Sequence, residues 1–166
     1  MSERGDKGIT SGECSLPVSK DSSFVEAVGS IDEFQARLGH ARVLLEDEDN
    51  KRFLGIESNL SGVMGVLFQG TVWNNGEKRI KELDSWIEGY TKGENKLKNF
   101  LLPGENEIES RLNLCRTGCR TAERRLVTLK TDREENEGLD FDNNILGYFN
   151  RLSTYLFWMW QSKKNN

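Results

Sequence analysis

The stretch EIESRLNLCRTGCRTAERRLVTLK, residues 107–130, decides the fold of this chain. Its apolar side chains recur every three or four positions, which is typical of an amphipathic α-helix with one buried face. These side chains are Ile108, Leu112, Cys115, Cys119, Ala122, Leu126 and Leu129. The stretch therefore predicts a long helix that packs in the core of a helical protein.

The same helix carries a stripe of positive charge. Arg116, Arg120 and Arg124 are spaced four residues apart, which places them on one side of the helix. Neighbouring guanidinium groups repel one another unless a negative group meets them. Two interpretations are open: salt bridges to acidic residues of a neighbouring helix, or a clamp for a polyphosphate, whose oxygens match guanidinium geometry.

Helical periodicity also predicts four further helices, and strand-like alternation is nearly absent. We expect helices from Phe24 to Leu45, Lys51 to Val72, Glu77 to Tyr90 and Asp142 to Gln161, with connectors over 46–50, 91–104 and 131–140. Residues 1–22 contain several glycines and Pro17, and they predict an extended arm or loop. The prediction is one all-α domain over 1–166, an up-down bundle over 23–161 preceded by the arm.

Composition excludes several classes of function. The net charge of −4 gives no signal for nucleic-acid binding, and no apolar stretch is long enough to span a membrane. The first residues lack the apolar core of a signal peptide, so we expect a cytoplasmic protein. Three cysteines and the single His40 make a poor zinc set, so Cys115 and Cys119 are predicted to be packing residues.

Three other places could carry chemistry, each with an ordinary alternative. The arm segment GDKGITS, residues 5–11, combines glycines, a lysine and hydroxyls that could hold phosphate, although a flexible tail has the same composition. Asp32 lies on the apolar–polar border of the first helix and is either a surface charge or the partner of an arginine. Asn150 lies inside the last helix, where asparagine is unfavourable unless its amide makes hydrogen bonds.

Taken in order, these segments resemble the corrinoid adenosyltransferases of the propanediol-utilisation (PduO) type. The resemblance rests on GDKGITS (5–11), VSKD (18–21), IDE (31–33), FLLPG (100–104), RTGCRTAERR (116–125) and YFNRLS (148–153). The family's fold is a five-helix bundle of ferritin-like type that assembles as a homotrimer, with active sites between adjacent subunits. Its members are enzymes that transfer the 5′-deoxyadenosyl group of ATP to Co(I) of a corrinoid, and triphosphate is released.

The resemblance implies a role for each matching residue. ATP, with its Mg2+, would be bound by Arg4, Gly5, Asp6, Lys7, Gly8, Thr10, Ser11, Lys20, Arg120, Glu123, Arg124 and Asn150, with no metal held by protein ligands alone. The corrinoid substrate would be bound by Asp32, Phe100 and Arg116, and Asp32 would pair with Arg116. These three and Arg120 are the expected catalytic residues. A reductase and an enzyme that accepts adenosylcobalamin are the further partners it implies.

The sequence departs from the family's usual pattern at several positions on the ATP side. Glu3 stands where a basic residue is usual, Glu105 and Asn106 follow the Pro103–Gly104 pair, and Thr121 and Thr154 replace a usual arginine and aspartate. Two alternatives therefore stay open beside the enzyme. One is a non-catalytic trimeric paralogue that binds nucleotide or adenosylcobalamin as a carrier or sensor. The other is a structural bundle whose arginines all form salt bridges.

Overall fold

The computed structural model describes residues 3–92, 102–138 and 140–164, except for the side chains of residues 3, 4 and 137. Within these residues, five α-helices make up the fold and confirm the predicted all-α bundle. They are α1 (Ser23–Arg42), α2 (Asp47–Gln69), α3 (Gly76–Thr91), α4 (Glu107–Asp132) and α5 (Asn143–Ser162).

Helix α4 lies in the middle of the bundle. It packs against α1 on one side and α5 on the other, while α2 packs on α1 and α3 packs on α5. The apolar face predicted for α4 is buried, including Leu112, Cys115 and Leu126. Across the same core, the rings of Phe34 in α1 and Phe149 in α5 lie 6.3 Å apart. The short connections between α1 and α2 and between α4 and α5 give the up-down arrangement.

The corner between α1 and α2 differs from the prediction. Residues 46–50 were expected to form a connector, but α2 begins at Asp47 and α1 ends at Arg42. The acidic residues of this segment lie in the first turn of α2, where negative charge is favourable beside the positive end of the helix dipole. The side-chain amide of Asn50 donates to the carbonyls of Arg42 and Leu45 at 3.1 Å, which holds the corner.

The end of α4 also differs from the prediction. Residues 131–140 were expected to be a linker, but α4 continues to Asp132 and then into a π-helical turn, Arg133–Glu137. Helical structure stops at Gly138, whose φ of 65° is the left-handed conformation that glycine adopts at helix ends. The extra turn is held by an ion pair of 3.0 Å between Arg133 and Glu13 of the arm.

The amino-terminal arm forms a short β-hairpin. Strand β1 (Ile9–Ser11) pairs antiparallel with β2 (Pro17–Ser19), and Thr10 lies opposite Val18. Three-residue strands are too short for alternation to be recognised in the sequence, which is why the arm was predicted only as extended or loop.

The arm is anchored to the bundle at one place. Glu13, between the two strands, contacts both Arg133 and the backbone at Gly70, the residue that ends α2. Gly70 has a φ of 62°, and a Cβ atom there would clash with the Glu13 carboxylate. Glycine is therefore required at this position for its conformation and for the close approach of the arm.

We expect Gly70→Ala to lower the free energy of unfolding by about 2 kcal/mol, because alanine must adopt a left-handed conformation and displace Glu13. The measurement is urea unfolding followed by circular dichroism. Gly89→Ala is the matched control, because a Cβ at this glycine of α3 would meet nothing within 4 Å. The control should be neutral or stabilising by up to about 1 kcal/mol, and equal losses in the two variants would contradict the prediction.

Candidate active site

The arginine stripe of α4, defined as Arg116, Arg120 and Arg124, lies beside the buried face of the helix. Arg116 is half-buried, whereas the other two are exposed. Burial, together with the positive charge of Arg120, lowers the pKa of the Arg116 guanidinium. The stripe borders a cavity of about 190 Å³ between α4 and α5. The cavity is lined by Arg116, Arg120, Ser153, Thr154 and Phe157.

Within the described residues, none of the three arginines of the stripe forms a salt bridge. The hydrogen-bond partners of the first and third arginines are neutral: Asn113 accepts at 3.0 Å and Thr121 accepts at 3.2 Å. Arg125, one residue beyond the stripe, does pair with Glu26 at 3.4 Å. The salt-bridge interpretation of the stripe therefore has no support inside the described part of the chain, and its guanidinium groups are available to an external anion.

A polar cluster on α4 and α5 adjoins the stripe. The side-chain amide of Asn150 donates to the Glu123 carboxylate at 3.2 Å, so the fold brings together two residues predicted to bind ATP. Arg151 donates to the Asn150 side-chain oxygen at 3.1 Å. The hydroxyls of Ser153 and Thr154, which line the cavity, donate to the Asn150 backbone carbonyl. The amide is thus held in a defined orientation next to the arginines.

The arm places two of its predicted phosphate-binding residues, Thr10 and Ser11, against α1 and α2. Lys20 donates from Nζ to the Gly5 carbonyl at 2.7 Å and from its backbone N–H to the Gly8 carbonyl at 2.8 Å. These bonds hold the GDKG segment, whose first three residues belong to a short 3-10 helix (Glu3–Lys7), beside the end of β2. Thr10 and Ser11 line a groove of about 240 Å³ against α1 and α2. Besides these two hydroxyls, the groove is lined by Phe24, Val25, Val28, Gly29, Asp32, Met64 and Phe68.

The predicted site residues therefore fall into two half-sites. The arm half-site contains Thr10, Ser11 and Asp32, and the arginine half-site contains the stripe with Glu123 and Asn150. In the described ranges, no hydrogen bond or salt bridge joins Asp32 to Arg116. The expected pairing of these two residues is thus not made within one chain.

Two predicted site residues cannot be placed. Phe100 lies outside the described residues, and so does the side chain of Arg4. The loop that follows Phe100, residues 102–106, is described and lies against the carboxyl end of α5, where the Asn106 side chain donates to the Lys163 carbonyl at 2.8 Å.

A residue that the sequence analysis missed holds this loop. Glu109, in the first turn of α4, is fully buried and accepts hydrogen bonds from the backbone N–H groups of Gly104 (2.8 Å) and Glu105 (3.2 Å) and from the Trp160 indole. Burial alone would raise the pKa of the Glu109 carboxyl, but the hydrogen bonds from Trp160, Gly104 and Glu105 outweigh it and lower the pKa. The signal in the sequence was an N-cap asparagine followed three residues later by glutamate, a pattern typical of helix starts.

The cysteines behave as packing residues, as predicted. Cys115 and Cys119 are fully buried in α4. Burial raises the pKa of the Cys115 thiol to about 12 and that of Cys119 well above its ordinary value, so both thiols stay protonated at neutral pH. His40 is exposed on α1.

No group of three or more His, Cys, Asp or Glu side chains among the described residues is arranged to hold a metal ion. None of the described helices is long and apolar enough to cross a membrane.

Comparison with known proteins finds relatives along nearly the whole chain. The family described as "Cobalamin adenosyltransferase" matches residues 1–162. The chain is 34% identical over 161 residues to the corrinoid adenosyltransferase of Bacillus subtilis, which covers 92% of this chain and 80% of that protein. It is 34% identical over 167 residues to the human corrinoid adenosyltransferase MMAB, covering 92% of this chain but 64% of that protein. The chain thus spans about two thirds of the length of its mammalian relatives.

Solved structures give the same result. A variant of the PduO-type ATP:corrinoid adenosyltransferase from Lactobacillus reuteri, complexed with cobalamin and ATP, superposes with a TM-score of 0.83 at 25% identity. The match covers 99% of this chain and 90% of that one. A second variant of the same enzyme, complexed with ATP, gives a TM-score of 0.81 at 26% identity.

We expect the buried Glu109 carboxylate to make stability depend on pH. Because its pKa in the folded protein lies below the ordinary value of 4.5, its contribution is fully present above that pH and is lost as the pH falls through the folded pKa. Glu109→Gln should therefore be less stable than the wild type at about pH 7, and the difference should shrink towards about pH 3. Urea unfolding at a series of pH values measures this difference in the free energy of unfolding.

Glu107→Gln is the matched control, because it removes an exposed carboxylate from the same helical turn. A difference between wild type and Glu109→Gln that is constant across the pH range would contradict the assignment.

Proposed function

This chain belongs to the cobalamin adenosyltransferase family, and we propose that it transfers the 5′-deoxyadenosyl group of ATP to the Co(I) centre of a reduced corrinoid. The observation that carries the proposal is the arginine stripe, three guanidinium groups that have no carboxylate partner among the described residues. A structural bundle would be expected to neutralise such a stripe internally.

The arginine half-site would bind the nucleotide. Arg120 and Arg124 are exposed and close enough to share one polyphosphate, and guanidinium forks bind phosphate oxygens in pairs. Asn150, held between Glu123 and Arg151, would then position the nucleoside. The exposed geometry of this cluster supports a ligand that arrives from solvent.

The arm would complete the phosphate site. The segment held by Lys20 contains Gly5 and Gly8, so its backbone N–H groups can approach an anion closely. Thr10, Ser11 and Asp6 supply the hard oxygen donors that suit Mg2+. We propose that Mg2+ enters with ATP and, when bound, makes triphosphate a better leaving group.

The reaction needs no general base. The cobalt of the substrate donates an electron pair to the 5′ carbon of ATP, the carbon–oxygen bond to the triphosphate breaks, and its electron pair leaves with triphosphate. Arg120 and Arg124 would stabilise the charge that collects on the leaving group, which is the kind of electrostatic stabilisation that accelerates such steps most.

Asp32, Arg116 and Phe100 would form the corrinoid side. We propose that Asp32 and Arg116 form an ion pair that lines the corrinoid-binding site. We further propose that Phe100 packs under the corrin and excludes the lower axial ligand. A Co(II) centre without axial donors is easier to reduce, because the incoming electron enters an orbital that a ligand would raise in energy. The nucleophilic Co(I) form would then be reached more readily.

We propose that the two half-sites meet between subunits of a homotrimer. Asp32 is exposed, and no described residue of its own chain forms a salt bridge with Asp32 or with Arg116. Opposite charges left unpaired on different faces of one chain are complementary surfaces for a second copy, and ring-shaped assemblies repeat one such contact around an axis.

The alternative of a non-catalytic paralogue rested on the departures on the ATP side, of which Glu105 and Asn106 lie in the described loop and Glu3 has no described side chain. A carboxylate at Glu105 would repel triphosphate if it faced the site. Instead, Glu105 pairs with Lys164 at 2.9 Å just beyond the end of α5, so a lysine of its own chain compensates its charge. This observation favours the enzyme over the paralogue.

The remaining partners stay predictions. We propose that a reductase supplies the electron that gives Co(I), as the resemblance to the family implies. An adenosylcobalamin-dependent enzyme would receive the product. The cytoplasm is the compartment predicted from the sequence.

The test is an anaerobic assay with MgATP and chemically reduced cob(I)alamin, in which loss of cob(I)alamin absorbance is compared with release of triphosphate. We expect equal amounts of adenosylcobalamin and triphosphate. Arg120→Gln should lower kcat/KM for ATP by about 100-fold, because it removes a charge that meets the leaving group. Arg125→Gln, the matched control on the same helix, should change it by no more than about two-fold, since its partner is the exposed Glu26.

No turnover with corrinoid still bound would support the paralogue. No turnover and no bound ligand would leave only the structural bundle. Equal effects of the two arginine variants would contradict the role of the stripe.

The homotrimer predicts complementation between two inactive variants. Asp32→Asn and Arg116→Gln should each weaken corrinoid binding more than ATP binding. If each site takes Asp32 from one subunit and Arg116 from the next, randomly mixed trimers contain about one intact site in four. Unfolding and refolding the two variants together should therefore restore about a quarter of wild-type activity.

The control is the same mixture without subunit exchange, which should stay inactive. No recovery after exchange, in trimers confirmed by light scattering to be mixed, would place both residues in one chain and contradict the shared site.

A further inference from the structure

The indole of Trp160, near the end of α5, connects two parts of the candidate site. It is 4% exposed, and its Nε1 donates a hydrogen bond to the buried Glu109 carboxylate. The guanidinium carbon of Arg116 lies 5.3 Å from the centre of the same ring, in cation–π contact. The ring therefore contacts the first arginine of the stripe while its N–H is fixed by a buried anion.

The loop 102–106 is fastened to the same place. Glu109 accepts from the N–H groups of Gly104 and Glu105, as described above. Lys164 donates to the Leu102 carbonyl, pairs with Glu105, and lies 5.6 Å from the centre of the Trp160 ring. The loop begins two residues after Phe100 in the sequence.

We propose that Glu109 and Trp160 form a positioning pair that sets the orientation of Arg116 and of the loop after Phe100 together, and so controls corrinoid binding. This inference rests on the proposed function, in which both elements belong to the corrinoid side. Neither Glu109 nor Trp160 is assigned contact with a substrate.

The chemistry of these contacts explains how Glu109 and Trp160 can orient Arg116 as well as hold the loop 102–106. A carboxylate that accepts the indole N–H increases the electron density of the ring, which strengthens its attraction for a cation on its face. The guanidinium of Arg116 is then held by the ring on one side and by Asn113 at Nε. Its two terminal nitrogens make no hydrogen bond to the described residues and are left for a ligand or a partner.

The position of the loop 102–106 and the orientation of Arg116 are also coupled energetically. Loss of the indole N–H leaves a buried carboxylate with fewer donors, and such a carboxylate is costly to keep ionised. The carboxylate would then take water or move, and the N–H groups of Gly104 and Glu105 would lose their acceptor. A substitution at Trp160 should therefore alter the position of the loop 102–106, and a substitution at Glu109 should alter the orientation of the Arg116 guanidinium.

The experiment compares Trp160→Phe and the nearly isosteric Glu109→Gln with a matched control. Trp86→Phe is the control, because the Trp86 indole also carries an arginine on its face, Arg52 at 5.1 Å, but lies on α3. Equilibrium binding of cob(II)alamin and of MgATP is measured for each. We expect the Kd for cob(II)alamin to rise about ten-fold in the two site variants, with the Kd for MgATP changed less than about two-fold.

A double-mutant cycle separates positioning from general stability. Arg116→Lys removes the planar guanidinium that stacks on the ring. Its effect on the cob(II)alamin Kd should be several-fold smaller in the Trp160→Phe background than in the wild type, whereas it should be unchanged in the Trp86→Phe background. Additive effects in both backgrounds would overturn the proposal.

Amide hydrogen exchange gives a readout that does not need a substrate. Exchange at Gly104 and Glu105 should be about ten-fold faster in both site variants and unchanged in Trp86→Phe. If the wild type bound neither cob(II)alamin nor MgATP, the proposed function would fail, and exchange alone would decide whether the pair holds the loop. Unchanged exchange in the site variants overturns the inference in either case.

Discussion

The structure depends on one constraint in α4: the helix must bury an apolar face and carry three arginines directly beside it. The apolar face fixes α4 between α1 and α5, so the rotation of the helix about its axis is not free. That rotation places Arg116 and Arg120 on the cavity shared with α5. The positions of the cations therefore follow from core packing, and stability of the bundle and geometry of the site are set by the same residues.

The arm is held by an ion pair, between Glu13 and Arg133, just beyond the end of α4. Glu13 reaches Arg133 only because α4 continues into a π-helical turn and because α2 ends in a glycine that leaves room for the carboxylate. The arm is thus fixed relative to two helices. Thr10 and Ser11 line the same groove as Asp32 of α1, whereas Arg116 and Arg120 line the cavity between α4 and α5.

The sequence predicts the helices well because each long helix has its own periodic apolar face. It predicts their ends less well, because acidic residues at the start of α2 and the contact between Glu13 and Arg133 extend helices through segments that are polar in composition. Of the site, the ATP-side cluster of Glu123 and Asn150 was predicted from the resemblance, and the fold brings it together. Glu109 was missed because its importance lies in partners on a loop and on α5, and no local pattern specifies those.

Charge explains why substrates and assembly should be linked. One chain leaves a cationic stripe on α4 and an exposed carboxylate on α1. Any process that brings such charges to their partners is favourable, whether the partner is a triphosphate or the opposite face of another copy. A ligand that binds only the assembled state stabilises that state by mass action. If the proposed function and assembly hold, nucleotide and corrinoid would stabilise the assembly as well as react in it, because the charges they would meet have no ionic partner among the described residues.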